Sequence, residues 1–126
     1  MTMKIPYQFA PLAAVLFFTV GIVYATEVVT QKEISVSHSL AGHVLVWGTD
    51  EPVSGATVEL YSSDWKTVLA STKTDKQGHF SLEQQPATGK LFYVRVSAPG
   101  MNIYELRVRI KKQVPQELKI PLSIAT

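Results

Sequence analysis

Apolar and polar residues alternate through much of this chain, strictly enough to assign faces. Over residues 91–98, Phe92, Val94, Val96 and Ala98 share one side while Leu91, Tyr93, Arg95 and Ser97 share the other, so the arginine's side is the wet one. The same parity turns Leu106, Val108 and Ile110 inward and Glu105, Arg107 and Arg109 outward. Leu118, Ile120, Leu122 and Ile124 make a last inward row, with Pro121 on the opposite parity marking an edge strand or a bulge. Segments 40–47, 56–61, 67–74, 79–83, 91–98, 104–110 and 117–124 are all rich in β-branched and aromatic residues and bounded by Gly, Pro, Asp or Ser. They predict an all-β fold, a seven-strand Greek-key β-sandwich. No stretch after Ala25 holds helical spacing for three turns, and 62–66 offers at most a single turn capped by Ser62 or Ser63.

The first 39 residues follow other rules. A polar start with Lys4, an apolar run from Phe9 to Val23 and an exit at Val23, Tyr24 and Ala25 have the layout of a signal peptide cleaved after Ala25. The run is about 15 residues, short of the roughly 20 that cross a bilayer, and Pro11 and Gly21 weaken it as a permanent span. Residues 26–39 read as a polar, flexible leader or a first edge segment, with only Val28, Val29, Ile34 and Val36 to offer a core. One domain then fills 40–126. The chain has no cysteine, so neither a disulfide nor a lipidated thiol is available, and the core alone must stabilise the fold. The expectation is an exported protein, periplasmic or extracellular, that begins near Thr26 and is not stably inserted in a membrane.

Turn chemistry agrees with the segmentation. In Thr74-Asp75-Lys76-Gln77-Gly78-His79-Phe80, the Asp75 carboxylate can accept N–H groups two residues on, Gly78 can supply the positive φ of a bulged hairpin, and Phe80 then enters the core. Pro52 and Gly55 restrict and turn the preceding loop, and Gly42 inside a strand suits a bulge or a close approach. Gly42-His43-Val44, Pro52 through Leu60, Thr74-Asp75 through Phe80, and Val94 through Gly100 occur in that order. Together these pieces resemble the carboxypeptidase regulatory-like domain family, a transthyretin-like β-sandwich, from about Leu40 to the C-terminus. The resemblance implies an accessory module without catalysis of its own. One departure stands out: the family usually places an aromatic residue soon after the Pro99-Gly100 equivalent, where this chain has Met101-Asn102 and then Tyr104.

The net charge of +2 gives no electrostatic signature. Arg107, Arg109, Lys111 and Lys112 are interleaved with apolar residues at strand spacing, which a solvated strand face explains without nucleic acid. No Gly-x-Ser-x-Gly turn and no calcium-loop pattern of alternating acids occurs. The transthyretin-like hydrolase of 5-hydroxyisourate ends in Tyr-Arg-Gly-Ser; this chain ends Pro-Leu-Ser-Ile-Ala-Thr, so no enzyme and no cofactor is expected.

Two functional readings remain. With Gly42, Val44 and Val46 inward, Leu45 and Trp47 face out, and with Leu91 and Tyr93 they are candidates for a face that binds a protein, peptide or glycan of the cell envelope. An edge strand could also pair two copies. The residues 28–36 or the loop carrying Trp65 could instead cover these aromatics. The alternative reading is copper or zinc handling through His38, His43 and His79. Parity opposes joining the first two, although a bulge at Gly42 or a hairpin end could bring His43 and His79 together.

Overall fold

The turn-bounded apolar segments become eight strands in the computed structural model, which describes residues 26–82 and 91–126. They are β1 (Val28–Ser37), β2 (Ala41–Val46), β3 (Thr57–Tyr61), β4 (Val68–Lys73), β5 (His79–Ser81), β6 (Leu91–Ser97), β7 (Ile103–Ile110) and β8 (Leu118–Leu122). A five-stranded sheet in the order β1-β7-β6-β3-β4 faces a three-stranded sheet in the order β5-β2-β8. β1 runs parallel to β7 and β8 parallel to β2; the other pairs are antiparallel. The reading of 1–25 as a signal peptide lies outside the described residues, as does the end of the fourth sequence segment at Glu83. Among the described residues no helix is long and apolar enough to cross a membrane.

The inner faces are those that alternation selects. Val44 from β2, Val58 from β3, Val94 and Val96 from β6, Val108 from β7, and Ile120 and Leu122 from β8 have no solvent exposure, and Phe80 keeps 5%. Thr74 is the buried polar group that closes the layer between β4 and β5. Its Oγ1 accepts from the Ala56 N–H at 2.8 Å and donates to the Val53 carbonyl at 2.6 Å, so neither backbone group is buried unpaired. Asp75 behaves as the turn requires: Oδ1 accepts from the N–H groups of Gln77 and His79, each at 2.9 Å, and Gly78 has φ of 78°. The His79 N–H foremost holds the Asp75 carboxyl below its ordinary range.

Two expectations need correction. Residues 26–39 take the first-edge-segment alternative rather than the flexible leader: β1 is a ten-residue edge strand, and it raises the count from seven strands to eight. Its apolar residues give the core little. The register sets Ile34 and Val36 beside Arg107 and Arg109 on the outer face, and turns Ser35 and Ser37 inward beside Val108 and Ile110. Ser37 tolerates complete burial because its hydroxyl donates to the Ser39 carbonyl at 2.8 Å. Ile124, expected in the inward row, is 64% exposed. Past Leu122 the chain leaves β2 and pairs with the 98–102 turn: Asn102 N–H donates to Ser123, Ala125 N–H donates to Gly100, and Ile124 bridges Met101. The change of partner ends the parity of β8, and Ala125 rather than Ile124 turns inward.

Candidate functional site

Leu45 and Trp47 do not share a face with Leu91 and Tyr93. The first pair lies on the outer face of the three-stranded sheet and the second on the outer face of the five-stranded sheet, so the core separates them. Alternation shows that a residue faces out, but not from which sheet.

Tyr93 is already occupied. The loop between β3 and β4 folds Trp65 onto it edge-to-face, with ring centroids 5.4 Å apart, and Trp65 also meets Tyr61 at 5.8 Å. The Arg95 guanidinium lies over the Tyr61 ring at 4.4 Å, and its Nε donates to Glu105 at 2.8 Å. This cluster holds Trp65 at φ of 63°, a left-handed conformation unusual for a bulky residue. The loop is pinned at its other side by Asp64, whose Oδ1 accepts from the Ser62 hydroxyl at 2.6 Å and the Lys66 N–H at 3.0 Å; the Ser62 contact foremost lowers its carboxyl below the usual range. Tyr93→Ser is therefore expected to cost about 1–2 kcal/mol in urea denaturation, since an edge-to-face pair and its buried area are lost together. An unchanged midpoint would mean that Trp65 does not rest on Tyr93 in solution.

Trp47 has no such cover. Its backbone is tied down, with the N–H donating to Leu122 at 2.8 Å, while 68% of the residue is exposed. It borders a groove of about 440 Å³ with Val29, Tyr104, Pro121 and Ser123. The groove forms where β1 of one sheet and β8 of the other approach along one edge of the sandwich. Leu45 lies just behind it, half-buried beside Pro121 and bridged to Pro52.

Sequence reasoning missed the other walls of this groove. Tyr104 has inward parity at the start of β7, where its ring packs partly against the core and its hydroxyl donates to Gln31 Oε1 at 2.9 Å. Burial pushes that hydroxyl above the ordinary phenolic range, so it remains a donor. Asn102 fixes the far end: its Oδ1 accepts from the Glu27 N–H and its Nδ2 donates to Ser123 Oγ, each at 3.0 Å. The Met101-Asn102 departure thus serves as the joint between β1, β7 and the C-terminal strand, while Met101 itself packs on the core.

The histidines divide. His38 Nδ1 is engaged with the Lys112 carbonyl at 2.8 Å, away from the others, whereas His43 and His79 are direct cross-strand neighbours on β2 and β5. Among the described residues no group of three or more His, Cys, Asp or Glu converges to hold a metal. Gly55, Asp75 and Gly78 sit at turns, with φ of 74° at Gly55, whereas Pro52 forms an antiparallel bridge to Leu45 just before the Gly55 turn.

No curated protein matches the chain. The profile of the carboxypeptidase regulatory-like domain matches residues 39–123, which spans β2 to β8 and the groove's Trp47, Tyr104, Pro121 and Ser123 but stops short of β1. With its transthyretin-like sandwich, this chain belongs to the carboxypeptidase regulatory-like domain family, whose members are noncatalytic β-sandwich modules.

Proposed function

We propose that this protein is an exported binding module of the cell envelope, and that it engages a peptide or glycan through the groove beside Trp47. The observation that carries the reading is the contrast between the two aromatic sites. Trp65, Tyr61 and Tyr93 satisfy one another, while Trp47 presents an uncovered indole at the rim of a concavity. A rigid aromatic on a tethered backbone loses little entropy on binding, and it anchors sugar or proline rings by stacking. Tyr104 and Pro121 add apolar wall, and the Ser123 hydroxyl adds a polar contact of the kind that fixes orientation. Export is supported by the signal-like layout of residues 1–25.

The test is titration with envelope glycans and proline-containing peptides, read by intrinsic tryptophan fluorescence and by calorimetry. Trp47→Ser is expected to weaken the captured ligand at least about tenfold while moving stability by no more than about 0.5 kcal/mol, the usual range for an exposed position. Ligand capture that survives the substitution undiminished would remove the groove from the reading.

A further inference from the structure

We propose that His43 and His79 form a two-imidazole site for a first-row divalent metal ion on the outer face of the three-stranded sheet. The two residues are directly opposed in the β2–β5 register, and their ring centroids lie 3.8 Å apart with the planes tilted by 45°. The Val44 N–H donates to Gly78 at 2.8 Å, which places the His43–His79 pair at a non-hydrogen-bonded position of the antiparallel ladder. Side chains approach most closely at such positions. Two metal–nitrogen bonds of about 2.0–2.1 Å, at the angles of a tetrahedral or tetragonal centre, require nitrogens roughly 2.9–3.4 Å apart. Imidazoles this close reach that spacing by rotation about their own side-chain bonds.

The backbone beneath them is fixed. Asp75 and Gly78 lock the turn that starts β5, and Gly78 packs so closely on the Val44 carbonyl that a Cβ there would lie 2.6 Å from it. The Asp75 Oδ2 also lies 3.9 Å from His79 Nδ1. Around His43, Glu117 and Lys119 line a neighbouring hollow, so one acid and one base face the pair from β8 and its approach, and Asp75 leaves the surroundings net acidic. With no third His, Cys, Asp or Glu converging among the described residues, water completes the coordination. Such a nitrogen pair ranks metals by the Irving–Williams order, with Cu(II) held most tightly.

Metal at His43–His79 and a ligand in the Trp47 groove are read out independently of each other. Untagged protein is titrated with Cu(II) under electron paramagnetic resonance and with Zn(II) under histidine NMR. The expected result is one equivalent bound, nitrogen hyperfine structure from imidazole, and Zn(II) shifts confined to His43 and His79. His43→Gln and His79→Gln should each weaken binding at least about tenfold, a loss of about 1.4 kcal/mol or more. His38→Gln and Trp47→Ser should leave binding intact. Near-UV circular dichroism checks that each variant is folded. Binding that persists in both His43→Gln and His79→Gln, that disappears in His38→Gln, or that is absent from the wild type overturns the proposal.

Discussion

Phe80→Ala is expected to destabilise the domain by about 3–5 kcal/mol, the usual cost of removing a fully enclosed ring. Phe80 retains 5% exposure and enters the layer between the sheets two residues after the Asp75–Gly78 turn. It is the inward residue of β5, a strand only three residues long, so β5 has little else within its own span to anchor it. Losing the ring leaves a cavity beside Gly42, its register partner, whose missing side chain cannot fill the space. Urea denaturation should show a lower midpoint with an unchanged slope, as expected when stability alone changes. Phe80→Leu should recover most of the loss. An unaltered midpoint for Phe80→Ala would place the ring outside the core and undo the face assignment of the whole small sheet.

The fold was legible wherever one face of a strand is dry and the other wet. Val94, Val96, Leu106, Val108, Leu118 and Ile120 alternate with charged or polar residues, and each is buried. β1 was legible only as one of two alternatives, a leader or an edge segment, for the opposite reason. Its larger residues, Ile34 and Val36, lie outside while Ser35 and Ser37 lie inside, and no pattern rule anticipates serines at the core face of an edge strand. The parallel pairing with β7 carries that strand, and pairing is a relation between distant segments that alternation along one segment cannot express. Ile124 failed similarly, because the chain exchanges one strand partner for another turn just before it.

The candidate site was half visible. Parity identified Trp47 and Tyr93 as outward, yet the fate of each depended on what lies above it. Trp65 covers Tyr93 only because its own backbone adopts a positive φ and Arg95 bridges it to Tyr61. Neither condition has a sequence signature. Pro121 carried a signal as an off-parity edge residue, but its meeting with Tyr104 and Val29 follows from the two sheets converging at one edge. The His43–His79 pairing was closer to legible, since the Asp75–Gly78 turn fixes where β5 begins and a hairpin-like return could reach β2.

Gly42→Ala joins the core to the groove and is expected to cost about 3 kcal/mol, the upper part of the range for forcing atoms into a packed interior. Gly42 does not need a left-handed backbone; it needs the absence of a side chain. A Cβ there would lie 2.1 Å from the Leu118 carbonyl oxygen and 2.8 Å from both the Leu118 carbonyl carbon and its Cβ. The closest obstruction is backbone, so β8 must move away from β2, and trimming the neighbour with Leu118→Ala should not restore stability. Gly55→Ala makes a useful contrast: nothing lies within 4 Å of the added atom, and only the φ of 74° opposes it, a strain of about 1–2 kcal/mol. The β2–β8 pairing that begins at Gly42–Leu118 runs on through Leu45–Pro121 to Val46–Leu122 and the Trp47 N–H on Leu122, so it also sets the wall of the groove. Gly42→Ala should therefore lose stability and ligand capture together, whereas Trp47→Ser loses capture alone. Denaturation midpoints and binding titrations on the two variants separate these outcomes. Full stability in Gly42→Ala would mean that β2 and β8 do not approach at this distance.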